Sequence, residues 1–138
     1  MLFGEYLHII DAKGRINVPS KLCESLGESF YITKGIDGCL AAFSADGLRG
    51  FSDKLLKNRS EKEIRQLQRY FVSHKVEPDK QGRILIPGVL REFAGLDKNV
   101  MIIGAYDRVE IWDKERWDKE QTLTDDDVVK MIENKDSQ

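Results

Sequence analysis

The chain has 138 residues, of which 41% are apolar and 33% charged, a balance typical of a globular domain in water. No apolar run approaches the roughly 18 residues that a membrane helix requires. The N-terminal MLFGEYLHIIDAKGR has neither the basic start nor the apolar block of a secretory signal. We therefore expect a cytoplasmic protein of one domain or two very small ones.

The net charge of −2 conceals a segregation of charge along the chain. Residues 48–83 hold 10 Lys and Arg against 5 Asp and Glu, a net of +5, whereas residues 111–138 hold 5 against 9, a net of −4. Because salt screens distant charges more than near ones, a locally basic surface can bind phosphate although the whole chain is acidic.

An unusual phrase occurs twice, as DAKGRINVPS at residues 11–20 and as DKQGRILIPG at residues 79–88. An internal repeat determines the organisation of a chain more strongly than any single motif does. Five identities share an offset of 68 residues, and they are Asp11/Asp79, Gly14/Gly82, Arg15/Arg83, Ile16/Ile84 and Pro19/Pro87.

The first copy begins with EYLHII at residues 5–10, whose alternation and β-branched side chains predict a strand. Asp-x-x-Gly-Arg then predicts a tight hairpin turn in which Gly14 takes a positive φ. The return strand RINVP places Ile16 and Val18 on one face and Arg15 on the other, and proline ends it.

A short helix is expected next, with Ser20 as its N-cap and Gly27 as its C-terminal cap. Residues 29–43 predict a second hairpin, and Ser44 the N-cap of a further helix. The second copy repeats this order: a strand at residues 71–77, a return strand with Ile84 and Ile86 on one face, a helix ending at Gly95, a hairpin at residues 99–112 and an N-cap at Asp113.

The segment between the copies predicts a helix that opens with a Ser60–Glu63 capping box. Its apolar face carries Ile64, Leu67 and Phe71, and a basic stripe carries Lys62, Arg65 and Arg69. That stripe is either a solvated face or a supporting phosphate contact. Thr124 predicts the N-cap of an acidic terminal helix, which either frays or contacts another subunit.

Each half, about 45 residues long, is too small to bury a core alone, so we expect the two copies to supply strands to each other. This predicts one pseudo-symmetric fold, mostly β with short helices (α+β), built from two interleaved halves. The expected boundaries are residues 1–47 for the first repeat, 48–71 for a helical linker, 72–119 for the second repeat and 120–138 for an acidic C-terminal tail.

The doubled phrase, with GIDGCL and VEIWDKERW, resembles the MraZ family over about residues 1–120. That resemblance implies two SpoVT–AbrB-type units of the swapped-hairpin fold, forming one double-psi-like barrel core. It also implies a sequence-specific regulator that binds G-rich direct repeats in the promoter of its own division and cell-wall operon and represses it. Double-stranded DNA, a ring-like homo-oligomer and a location at the nucleoid follow from the same resemblance.

The residues themselves favour DNA contact at the two turns. Arginine presents a planar fork that fits guanine O6 and N7 or two phosphate oxygens, and an aspartate across the turn can hold that fork in place. We expect Arg15, Arg83, Lys13 and Lys80 to bind DNA, supported by Asp11, Asp79, Gly14 and Gly82. Alternatively, the Asp–Arg pairs only clamp the turns; the two roles are compatible.

An enzyme is the competing class. His8 and His74 occupy non-equivalent repeat positions outside any catalytic motif, and no phosphate-binding or dinucleotide fingerprint is present. Cys23 and Cys39 lack zinc-site spacing and are expected to be free, mostly buried thiols. We predict no enzyme activity, no cofactor and no metal; an antitoxin-like AbrB protein–protein interaction module is the remaining alternative.

Overall fold

A computed structural model of the chain describes residues 1–120 and 122–136, which form an α+β fold, as predicted. Its strands are β1 (Leu2–Ile9), β2 (Arg15–Asn17), β3 (Phe30–Lys34), β4 (Leu40–Phe43), β5 (His74–Val76), β6 (Arg83–Leu85), β7 (Asn99–Tyr106) and β8 (Val109–Asp113). Its helices are α1 (Ser20–Leu26), α2 (Ala45–Leu56), α3 (Glu61–Tyr70), α4 (Gly88–Ala94), α5 (Lys114–Glu120) and α6 (Asp125–Asp136).

Six strands form one antiparallel sheet in the order β1-β7-β8-β4-β3-β5, and β2 pairs with β6 in a separate ribbon. The strands β1, β3 and β4 of the first copy correspond to β5, β7 and β8 of the second. When each strand is replaced by its counterpart, the same sheet order is obtained, read from the opposite edge. This is the predicted pseudo-symmetry. Within the described residues the strands do not close into the expected barrel, because the ribbon shares no ladder with the large sheet.

The hairpins predicted at residues 29–43 and 99–112 are present as β3–β4 and β7–β8, whereas the strands that flank the two Asp-x-x-Gly-Arg turns do not form the predicted hairpins. A single strand-like backbone hydrogen bond joins the two flanks of each turn, from Asp11 N to Arg15 O and from Asp79 N to Arg83 O. Beyond it, β1 joins β7 of the other copy, β5 joins β3, and β2 joins β6. The strands are exchanged because each half covers the apolar face that the other cannot bury alone.

The core lies between the ribbon, the sheet and the short helices. Ile16 and Ile84 face each other at the centre of the ribbon, each only 1% exposed. Helices α1 and α4 add the buried Leu22 and Leu90, while the sheet adds large side chains that include Ile32, Leu40, Ile102 and Ile111. The predicted inward face of β2 and β6 is therefore confirmed.

Most predicted helix ends are present. Ser44 accepts a hydrogen bond from Gly47 N, and the Ser60–Glu63 capping box is complete. Gly27 and Gly95 end α1 and α4, Thr124 accepts from Asp127 N, and Asp113 accepts from Arg116 N.

The expected cap at Ser20 is wrong. The N-cap of α1 is Pro19, one residue earlier in the chain. The carbonyl of Pro19 accepts hydrogen bonds from the backbone N–H groups of Leu22 and Cys23, and no side chain caps the helix. Pro87 does the same for α4, where the residue in place of Ser20 is Gly88. Fixed proline geometry thus replaces the side-chain cap in both copies.

Helices α2 and α3 connect the copies. Phe71, at the end of α3, packs edge-on against Phe51 of α2, and Phe51 stacks on Phe43 of β4. Ile64 and Leu67 are half-buried, as predicted, whereas Lys62, Arg65 and Arg69 are exposed. The basic stripe is therefore on the solvent side, where both proposed roles stay open.

The strand exchange predicts that the two copies unfold together. We expect Ile16→Ala in the first copy to lower the free energy of unfolding by about 2–5 kcal/mol, because it leaves a cavity at the centre of the ribbon. Trp112, 3% exposed in the second copy, provides the fluorescence readout. Leu85→Ala, on the exposed face of the same ribbon, is the control and should change stability by less than about 0.5 kcal/mol. A Trp112 transition unmoved by Ile16→Ala would show independent halves.

Candidate nucleic-acid interface

The first turn is organised by the carboxylate of Asp11. One oxygen, Oδ1, accepts hydrogen bonds from the backbone N–H groups of Lys13 and Arg15, each at 2.9 Å. The other, Oδ2, accepts from Arg15 Nε at 2.8 Å. Gly14 adopts a φ of +85° and donates its N–H to the Asp11 carbonyl at 2.9 Å. An L side chain would strain that conformation, which explains the glycine.

The second turn reproduces this arrangement. Asp79 Oδ1 accepts from the backbone N–H groups of Gln81 and Arg83 at 2.9 Å, and Oδ2 accepts from Arg83 Nε at 3.0 Å. Gly82 has a φ of +78° and donates to the Asp79 carbonyl. The clamp, in which an aspartate holds the arginine of its own turn, therefore exists in both copies.

Each guanidinium is held by one edge only. Nε of Arg15 and of Arg83 is engaged by the aspartate, whereas their terminal nitrogens, Nη1 and Nη2, donate to no acceptor among the described side chains and backbone. The side chains are about one-third exposed, at 31% and 27%. An oriented arginine with its two Nη groups free can make an end-on bidentate contact with a base or a phosphate.

The turns also set the charge of the site. The hydrogen bond from the Arg15 backbone N–H, with help from its guanidinium and from the Lys13 N–H, holds the pKa of Asp11 below its ordinary value of 3.8. The backbone N–H of Arg83 is the chief cause of the same lowering of the pKa of Asp79. Both carboxylates are therefore ionised at neutral pH and stay available to orient the arginines.

The ribbon brings the two arginines onto one surface. Arg15 lies opposite Leu85, and Asn17 lies opposite Arg83, so all four alternate with the buried Ile16 and Ile84 and face outward. Arg15 and Arg83 are diagonal neighbours, and such residues lie about 7–8 Å apart in an antiparallel pair. We call this surface, formed by Arg15, Asn17, Arg83 and Leu85, the ribbon face.

The predicted lysines lie beside that face. Lys13 and Lys80 are exposed at the two turns, which lie at opposite ends of the ribbon. The structure adds a residue that the sequence did not single out. Arg91 of α4 packs against Gly14, and its repeat counterpart is Cys23. In the sequence, Arg91 is distinguished by this difference between the two copies.

The other chemically suggestive residues do not form a site. Burial raises the pKa of the Cys39 thiol to about 12 and also raises that of the half-buried Cys23, and both cysteines are free. In the part of the chain that the structure describes, no three His, Cys, Asp or Glu side chains gather as metal ligands. Nor does any described helix combine the length and apolarity needed to cross a membrane.

Comparison with known proteins gives a consistent result. A family profile described as "MraZ protein, putative antitoxin-like" matches residues 1–70 and 72–129. The chain is 54% identical to the transcriptional regulator MraZ of Lachnoclostridium phytofermentans, over 86% of this chain and 85% of that protein. It is 44% identical to the transcriptional regulator MraZ of Caldanaerobacter subterraneus subsp. tengcongensis, over 99% of this chain and 98% of that protein.

Two strand-exchanged halves that present matching Asp–Arg turns on one ribbon define a swapped-hairpin protein of the α+β class. The profile match and the identities reach across both halves and both turns. The chain belongs to the MraZ family.

The clamp predicts a characteristic dependence on pH. Because the folded-state pKa of each aspartate is depressed, its stabilising contribution is present above about pH 3.8 and is lost as the pH falls through the lower, folded pKa. We expect carbon-detected NMR titration to place both carboxyl pKa values below 3.8. A value at or above 3.8 for either carboxyl would contradict the clamp.

Substitutions extend that test. Asp11→Asn keeps one oxygen that can accept from the backbone N–H groups, but it offers no charged acceptor to Arg15 Nε. It should therefore lower the free energy of unfolding less than Asp11→Ala does. It should also flatten the dependence of that free energy on pH below 3.8. Asp46→Asn, in the exposed Asp46–Arg49 pair on α2, is the matched control and should leave the free energy of unfolding unchanged within about 0.5 kcal/mol.

Proposed function

We propose that this chain is a sequence-specific DNA-binding transcriptional regulator that reads duplex DNA with the ribbon face. The observation that carries the proposal is the pair of guanidinium groups on one surface, each held at Nε by an aspartate and each with Nη groups that bond no described residue. The names of the relatives, transcriptional regulators MraZ, support the same function.

The geometry suits the major groove of DNA. That groove, about 12 Å wide, admits a two-stranded β-ribbon, and an arginine fork matches the O6 and N7 acceptors of guanine. Asp11 and Asp79 fix the forks before DNA arrives, so less side-chain freedom is lost on binding. Arg15 and Arg83 therefore each read a guanine, and the proposal accounts for a preference for G-rich sites.

Lysines at the ends of the ribbon supply the sequence-independent part of the affinity. Lys13 and Lys80 are exposed where the flanking phosphates would pass, and their charges release counterions from DNA on binding. The exposed stripe of Lys62, Arg65 and Arg69 adds to the same basic field.

The finer proposal follows from the family resemblance. The regulator represses its own division and cell-wall operon from short G-rich direct repeats in the promoter, and it works in the cytoplasm at the nucleoid. The repeats at residues 1–47 and 72–119 carry the ribbon, residues 48–71 link them, and the acidic tail at residues 120–138 stays away from DNA.

One ribbon offers two arginine forks, so we propose that several copies act together in a ring-like homo-oligomer. Exposed apolar residues support this assembly. Phe3, Leu7 and Ile9 lie on one face of β1 at the edge of the sheet, each at least 59% exposed. Helix α6 exposes Val128, Val129, Met131 and Ile132. Apolar surface of this kind marks contact with another protein.

The assembly is testable by light scattering. We expect a cyclic oligomer well above a dimer at micromolar concentration, and we expect Phe3→Lys with Leu7→Lys to reduce its mass while the fold is kept. Ile36→Lys, a 54% exposed apolar residue between β3 and β4, is the control and should leave the mass unchanged. A stable monomer of the unsubstituted chain would overturn the ring.

An antitoxin-like protein–protein interaction module is the second candidate, and the "antitoxin-like" wording of the family description favours it. Its partner would occupy the apolar surfaces of β1 or α6, and the ribbon face would be idle. The DNA titration below separates the two, because an interaction module needs neither arginine fork.

The central test substitutes Arg15. We expect Arg15→Lys to be nearly as damaging as Arg15→Ala, because lysine keeps the charge but lacks the fork. The lost base contact should cost about 1–3 kcal/mol on a duplex from upstream of the chain's own gene, and the preference over a scrambled duplex should fall. Competition titrations on intact oligomers measure both quantities.

Three variants control that experiment. Lys13→Ala should weaken both duplexes alike, since a phosphate contact carries no sequence information. Arg83→Lys should behave like Arg15→Lys, whereas Arg49→Ala, in the exposed pair with Asp46 on α2, should leave binding unchanged. Full activity of Arg15→Lys would reduce that arginine to a point charge, and unfolding of both Arg15 variants would leave only the clamp.

A further inference from the structure

The two turns differ in what lies against them. In the first, the guanidinium of Arg91 packs directly against Gly14: a Cβ added at that glycine would meet Arg91 Cζ at 2.5 Å and Nε at 2.8 Å, and Nη1 closer still. Gly14 is buried as a result. The glycine therefore has a second purpose besides its positive φ, which is to let an arginine lie under the turn.

Among the described residues, the guanidinium of Arg91 has no charged partner. Its Nε is buried and donates to no acceptor in the described part of the chain, and no described carboxylate pairs with its guanidinium. Arg15 and Arg83, by contrast, are each paired with an aspartate. An unpaired guanidinium in a half-buried position is costly unless an anion neutralises it. The residue is only half-buried, so an anion can reach it from solvent.

The second turn lacks this arrangement. The position equivalent to Arg91 is Cys23, whose short side chain does not reach Gly82. A Cβ added at Gly82 would meet nothing nearer than Asn17 Oδ1, at 4.0 Å. An open groove takes the place of the arginine, and its charged lining residues are Glu24, Glu28 and Asp79 against the single cation Lys80. The surroundings of the second turn are therefore less positive than those of the first.

We propose that Arg91 binds a DNA phosphate beside the first turn. Because the second turn has no such arginine, the two turns contribute unequally to the affinity for DNA. The inference rests on the proposed DNA binding by the ribbon face. Arg91 and Lys13 together grip the backbone beside the first turn, whereas the second turn relies on Lys80. Since phosphate contacts carry no sequence information, the inequality concerns affinity and leaves base preference unchanged.

The test is the salt dependence of binding to a random-sequence duplex. Each phosphate contact contributes about 0.9 to the slope of log K against log salt, so Arg91→Gln should make the slope shallower by about that amount for each subunit in contact. Glutamine approximates the length of arginine and removes its charge. Arg91→Lys restores the charge and should restore most of the slope.

The converse variant adds what the second turn lacks. Cys23→Arg places a guanidinium beside Gly82, in the open groove, and should tighten binding and steepen the slope by about 0.9 per subunit. Cys23→Ser is its control and should match the unsubstituted chain. A gain of affinity cannot arise from misfolding, so this variant tests whether a guanidinium beside a turn reaches the DNA backbone even if Arg91→Gln fails to fold.

The outcomes separate this inference from the proposed function. An unchanged slope for Arg91→Gln or for Cys23→Arg, with binding lost in Arg15→Ala, would make Arg91 a packing residue and overturn the inference alone. Equal binding by the unsubstituted chain, Arg15→Ala and Arg91→Gln would place DNA on another face and overturn both. Loss of slope that Arg91→Lys does not restore would also count against a phosphate contact.

Discussion

The ladder between β2 and β6 is the interaction on which the rest of the structure depends. Two backbone hydrogen bonds, from Val18 N to Gly82 O and from Ile86 N to Gly14 O, extend it into the turns. It places Ile16 against Ile84 in the core and, by strand alternation, turns Arg15 and Arg83 outward on the same surface. The core and the proposed binding surface are thus two faces of a single ribbon, and neither half of the chain has that ribbon without the other.

The Asp–Arg pairs place turn formation and the proposed DNA recognition in the same residues. Each carboxylate first satisfies two backbone N–H groups of its own turn and then fixes the Nε edge of the arginine. The clamp and the DNA contact are therefore compatible: the interaction that closes the turn is the one that orients the free end of the guanidinium. Pre-orientation of this kind lowers the entropic cost of binding.

Local patterns predicted the local structure, and pairing over long distances escaped them. The glycine turns, the Ser60–Glu63 capping box and the inward isoleucines each depend on neighbours within a few residues, and the sequence displays them directly. The pairing of β1 with β7 and of β5 with β3 was predicted only as a general need of the two copies to share strands. An alternating sequence pattern predicts a strand but does not identify the strand with which it pairs. The prediction of a cap at Ser20 was wrong because the N-cap is Pro19, whose carbonyl accepts the first hydrogen bonds of the helix. The position of Arg91 could not be predicted from the sequence, because it depends on contact with Gly14, 77 positions away in the chain.

A structure of the oligomer bound to duplex DNA from upstream of its own gene tests the central claim most directly. We expect the ribbon face to enter the major groove, with Nη1 and Nη2 of Arg15 and of Arg83 within about 2.7–3.2 Å of base or phosphate acceptors. The Nε bonds to Asp11 and Asp79 should be kept in the complex. DNA bound to any other surface, with both Asp–Arg pairs facing solvent, would contradict the assignment of the ribbon face as the reader.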